Sequence, residues 1–92
     1  MADLEIEAKQ WFAANLRHYR TLAGKTQSDL GKMVGVTHRY ATRLESGNVN
    51  VSIGTLARLA GALGVPVAKL LEPRELDPNR RVGRPSKVGD AK

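Results

Sequence analysis

The sequence predicts an all-α protein, with five short helices in residues 1–73 and a flexible basic tail, containing Pro and Gly, at 74–92. Three observations carry this. Apolar residues recur at three- and four-residue steps, the helical period. Each such stretch is closed by Gly or Pro, and the later ones open on a capping residue. No stretch shows the alternation of a half-buried strand.

The first helix is set at 4–23 by Leu4, Ile6, Ala8, Trp11, Phe12, Leu16, Tyr19 and Leu22, and Ala23-Gly24 ends it. Trp11 and Phe12 are expected in the core, with a partner interface as the alternative, and His18 on the surface. Thr26 caps the second helix, and Asp29 stands three residues later in a capping-box position. Leu30, Met33 and Val34 form its expected buried stripe, and Gly35 stops it. The third helix lies within "GVTHRYATRLESG", with Thr37 as N-cap, Gly47 at the far end and Val36, Ala41 and Leu44 as its apolar positions. After the loop "GNVNV", Ser52 caps a fourth helix whose Ile53, Leu56, Leu59, Ala60 and Leu63 share one face before Gly64. Pro66 suits the first position of a fifth helix containing Val67, Leu70 and Leu71, and Pro73 ends it.

Composition narrows the function. The chain has 92 residues and 41% apolar content, enough for one small domain with a modest core. It has no Cys, which excludes disulfides, a thiolate metal site and a thiol nucleophile. His18 and His38 are too few and too isolated for a metal cluster, so neither metal nor cofactor is expected. No apolar run approaches the roughly 18 residues of a membrane span, and the acidic start "MADLEIEAKQ" is unlike a signal peptide. A cytoplasmic protein is the expectation. The net charge is +6, and residues 15–69 hold eight basic residues against Asp29 and Glu45 alone. Such a balance suits a polyanionic partner. No Ser/His/Asp grouping, carboxylate pair or Gly-rich phosphate loop supports an enzyme.

From Gln27 to Leu44 the spacing has a geometric meaning. Two short helices meet at a tight Gly turn, small Gly31 sits where they cross, and Leu30, Val34, Val36, Ala41 and Leu44 are placed to fix the angle. This is the helix-turn-helix arrangement, whose second helix enters the major groove of DNA. The stretch "KTQSDLGKMVGVTHRYATRLESGNVNVSIGTLARLAGALGVPVAKLLEP" resembles the Cro and phage-repressor (xenobiotic-response-element) family of helix-turn-helix regulators. Thr26-Gln27, Leu30, Gly35, the Glu45-x-Gly47 exit and "TLARLAGALGV" carry the resemblance, which covers residues 12–72. It implies a five-helix, lambda-repressor-like domain. Two positions depart from the family pattern: Gly31 stands where Ala is usual, and Ala41 where a bulky aliphatic is usual. Gly31 should cost up to about 1 kcal/mol of helix stability relative to Ala. Ala41 leaves room that Tyr40 or Trp11 could fill.

The resemblance also implies roles. Recognition helix 37–46 would lie in the major groove, with His38, Arg39 and Arg43 reaching base edges and Gln27 contacting a base or a phosphate. Arg39 and Arg43 can each fork onto guanine O6 and N7. Thr37, Tyr40 and Thr42 suit the DNA backbone through their hydroxyls, Asn48 and Asn50 through side-chain or main-chain donors, and Arg17 and Lys25 through charge. Arg20 and Glu45 are implied as a partly buried ion pair that holds the recognition helix.

The predicted partner is double-stranded DNA, bound by a homodimer on a palindromic operator, with no small-molecule ligand. Val65, Val67, Leu70 and Leu71 are the first expected dimer surface and the first helix the second. Restriction–modification controllers, phage or plasmid repressors and antitoxins all fit a regulator of this size. The alternative from another class is a protein-interaction module, an antitoxin or adaptor domain with DNA binding secondary. In the tail, "RRVGRPSK" resembles a degraded AT-hook core. Minor-groove engagement, loose phosphate attraction and a solubilising role all stay open there.

Overall fold

The computed structural model describes residues 2–74. The tail expected from residue 74 onward lies, from 75, outside the described residues. Among those described, four α-helices follow one another: α1 Ala2–Leu22, α2 Gln27–Val34, α3 His38–Leu44 and α4 Ile53–Leu63. The expected fifth helix is a single 3₁₀ turn, Val67–Leu70, with Pro66 as its N-cap rather than its first residue. The six residues between Pro66 and Pro73 leave too little chain for an α-helix to repay its nucleation. No helix among the described residues is long and apolar enough to cross a membrane.

The helix ends follow from local chemistry. Thr26 accepts from the Asp29 amide at 3.0 Å, and the Asp29 carboxylate accepts from the Thr26 amide at 2.9 Å. These bonds to Thr26, backbone before side chain, hold the Asp29 carboxyl below its usual value. Ser52 accepts from the Thr55 amide at 3.1 Å and starts α4. At Gly35 and Gly64 the backbone turns left-handed, with φ of 78° and 71°, which only glycine adopts without strain. α3 is shorter than the helix 37–46 that the resemblance implies. It ends at Leu44, with Glu45 as its cap and Gly47 two residues beyond.

The core is built from Phe12 and Leu16 of α1, Leu30 and Val34 of α2, Leu44 of α3, Leu56, Leu59 and Ala60 of α4, and Leu70. α2 packs on α3 and α4, while the 3₁₀ turn packs on α1 and α4. Two expected core residues stand outside. Met33 is exposed because the buried arc of α2 is Leu30, Gly31 and Val34, about 100° round the helix from it. Ile53 is 77% exposed at the first turn of α4, before Leu56 enters the core. Leu70, expected on a dimer surface, is fully buried. Phe12 is buried and Trp11 and His18 are half-buried. Ala41 is fully buried, and half-buried Tyr40 packs against the core cluster.

Gly31 has a steric reason that helix propensity misses. A Cβ there would lie 2.8 Å from the Val36 carbonyl oxygen and 3.3 Å from that of Thr37. The turn folds back over Gly31, whose own carbonyl accepts from the Val36 amide at 2.8 Å. Gly31→Ala gains up to about 1 kcal/mol of helix propensity. It also forces two backbone segments apart, an overpacking cost of about 1–3 kcal/mol. The expected result is a lower Tm, by calorimetry, despite the better helix former.

Candidate nucleic-acid interface

The face of α3 turned away from the core carries His38, Arg39, Thr42 and Arg43, all exposed. The opposite arc, Ala41, Leu44 and Glu45, is buried. Seven helical residues suffice for this division because neighbours at 100° steps put 38, 39, 42 and 43 on one side. Among the described residues, the guanidinium groups of Arg39 and Arg43 form no ion pair and the His38 ring no hydrogen bond. The contrast is with Lys9, Arg20 and Lys69, each beside a glutamate. Two free, fixed-charge forks on one exposed helix face are suited to acceptors such as guanine edges or phosphate.

Behind this face three helices are tied together by side chains. Arg20 of α1 donates from Nε to Glu45 Oε2 at 2.5 Å and from Nη2 to Oε1 at 3.1 Å. Its Nη1 donates to the Lys25 carbonyl at 2.7 Å, which closes the turn between α1 and α2. Glu45 is only 3% exposed. Gln27, the first residue of α2, donates from Nε2 to Glu45 Oε1 at 3.2 Å. Its Oε1 accepts from the Thr42 hydroxyl of α3 at 2.9 Å. The network therefore runs from α1 through the start of α2 to α3 and its C-cap.

The other sequence-chosen residues scatter around this centre. Thr37 accepts from the Tyr40 amide at 3.0 Å as N-cap, which leaves its own hydroxyl proton unspent. Lys25, Asn48 and Asn50 are exposed in the connections before α2 and after α3, and Arg17 is half-buried on α1.

The helix-turn-helix family model matches residues 16–70. The chain belongs to this Cro/CI-type family. It is a DNA-binding transcriptional regulator. Control protein C.SmaI of Serratia marcescens is 35% identical over 74 residues, 77% of this chain and 88% of that protein. The crystal structure of hypothetical transcription factor NHTF from Neisseria aligns with a TM-score of 0.70 at 27% identity, covering 84% of this chain and 82% of that one. The restriction-modification controller protein C.AhdI from Aeromonas hydrophila aligns with a TM-score of 0.65 at 31% identity, covering 76% and 98%.

One important residue of this regulator escaped the sequence reading. Asn15 is fully buried in α1, where its Nδ2 donates to the Glu72 carbonyl at 2.8 Å and its Oδ1 accepts from Arg74 Nε. The Arg74 guanidinium also lies over the Tyr19 ring, 5.8 Å from its centroid. The end of the described chain is thus fastened to α1. The available signal was a lone amide inside the apolar run "WFAANL". A buried polar side chain must find partners, and these lay 57 and 59 residues away.

Proposed function

We propose that this regulator binds a palindromic operator as a two-fold homodimer, with α3 of each copy in the major groove. His38, Arg39 and Arg43 meet base edges, and Gln27 donates from the rim of the same face. Thr37, Tyr40, Asn48, Asn50, Arg17 and Lys25 meet the DNA backbone. The observation that carries this is the pair of exposed guanidinium groups, Arg39 and Arg43, that no acid of the described chain neutralises. Two unpaired like charges one turn apart repel each other, and an anionic partner relieves that repulsion. One such domain covers only a few base pairs, so useful discrimination calls for two half-sites. Val67 and Leu71, 38% and 41% exposed beside buried Leu70, supply apolar surface for the second copy.

Selection of bound duplexes from random DNA tests the whole proposal. The expected product is an inverted repeat with half-site centres about 10 base pairs apart, or a multiple of that. Its affinity should exceed that for random DNA by about a thousandfold or more and fall steeply with salt. A single half-site bound by a monomer would remove the dimer. Weak binding to every sequence alike would favour the adaptor or antitoxin module instead.

A further inference from the structure

We propose that Thr42 is a positioning residue for Gln27: its hydroxyl orients the Gln27 amide toward DNA and does not itself bind DNA. This rests on the DNA-binding role proposed above. The Gln27 amide has a donor end and an acceptor end, and Glu45 selects between them. The Glu45 carboxylate, anchored by Arg20, accepts hydrogen bonds, so the amide turns its NH2 toward it, at 3.2 Å. The carbonyl end then faces Thr42, whose hydroxyl donates to it at 2.9 Å. Reversing the amide would set Gln27 Oε1 against a carboxylate oxygen, two acceptors with no proton between them.

Two anchors on a planar amide fix its plane and leave one N–H unspent. That N–H is what Gln27 offers to an acceptor on DNA, a phosphate oxygen or a purine N7 or O6. Thr42, by contrast, has nothing left to donate. Its single proton has two acceptors inside the protein, Gln27 Oε1 at 2.9 Å and the His38 carbonyl at 3.0 Å. A phosphate has only acceptors, so a direct Thr42–phosphate bond would have to break an internal one.

The test uses the full chain in five forms: wild type, Thr42→Val, Thr42→Ser, Gln27→Ala and the Gln27→Ala/Thr42→Val double variant. Each is titrated against the selected operator and against random duplex at one salt concentration, and each is checked by thermal unfolding. Thr42→Val should weaken operator binding about fivefold, as loss of one orienting hydrogen bond does. Thr42→Ser should restore it to within about twofold. In the Gln27→Ala background Thr42→Val should have no further effect, because nothing remains to orient. The side-chain amide NMR signals of Gln27 in the free protein should move in Thr42→Val and stay in Thr42→Ser. A Thr42→Val loss that multiplies the Gln27→Ala loss makes Thr42 a DNA contact and overturns the proposal, as do unmoved amide signals. Uniform loss across sequences in Gln27→Ala assigns its acceptor to phosphate, and loss at one base pair assigns it to a purine; either outcome supports a Gln27 held for DNA. A wild type with no operator preference defeats the DNA-binding role, while the amide signals still decide the Thr42–Gln27 pairing.

Discussion

Glu45→Ala is expected to unfold or severely loosen the domain, with a loss of about 3–5 kcal/mol. Glu45 is 3% exposed and satisfies three donors at once: two from Arg20 and one from Gln27. The Arg20 side chain is only 14% exposed, so truncating its partner leaves a nearly buried guanidinium with the Lys25 carbonyl alone. The cost is the stranded charge more than the lost attraction. For a domain of this size each kcal/mol moves Tm by about 4–8 °C, so the melting temperature should fall by at least about 12 °C. Arg20→Met combined with Glu45→Leu separates the two causes. With both charges gone and the volume filled, much of the stability should return, since an apolar replacement of a buried pair is commonly neutral or better. Calorimetry of the three proteins decides it. An unchanged Tm in Glu45→Ala would mean that the pair is ornamental and that packing of Leu44 and Ala41 alone seats α3.

The contrast between this network and the helix ends shows what was legible in the sequence. Caps are local. Thr26 and Asp29 are three residues apart, and so are Ser52 and Thr55, so their bonds could be anticipated from spacing. Gly35 and Gly64 could be placed because a left-handed backbone favours one residue type. Burial at helix edges was not local. Met33 and Ile53 match the helical period, yet which arc is buried depends on where neighbouring helices cross. Gly31 could be placed at the helix crossing because a small residue is needed there, but the 2.8 Å from a Cβ to the Val36 carbonyl, too close even for Ala, depends on how the turn folds back. At the interface, the outward set His38, Arg39 and Arg43 follows from period and resemblance. The Arg20–Glu45 contact was suggested by the resemblance alone. The Gln27 bonds to Glu45 and Thr42 span 18 and 15 residues, and the Asn15 bonds span 57 and 59. No window of sequence contains both ends of such bonds.

Arg43→Ala is the second large expectation, and its effect falls on recognition rather than on folding. The side chain is exposed and, among the described residues, pairs with no acid, so Tm should stay within about 0.5 kcal/mol equivalent of wild type. The bonds that close the end of α3 use the Arg43 main chain: its carbonyl accepts from the Ser46 hydroxyl at 2.6 Å and the Ser46 amide at 3.0 Å. Alanine keeps both. What it loses is a planar fork able to take guanine O6 and N7 together, an arrangement that discriminates by about 1–3 kcal/mol. Binding to the operator should weaken by that amount, and the preference at one base pair of each half-site should relax while the other positions stay sharp. Arg43→Lys makes the measurement decisive. It retains the charge, so the dependence on salt should stay near that of wild type, but an ammonium cannot fork, so the discrimination should still fall. If both variants instead weaken all sequences alike and Arg43→Ala lowers the salt slope by about one, Arg43 neutralises a phosphate. The bases would then be read by Arg39 and His38 nearer the start of α3, and the helix would lie tilted with its C-terminal end against the DNA backbone.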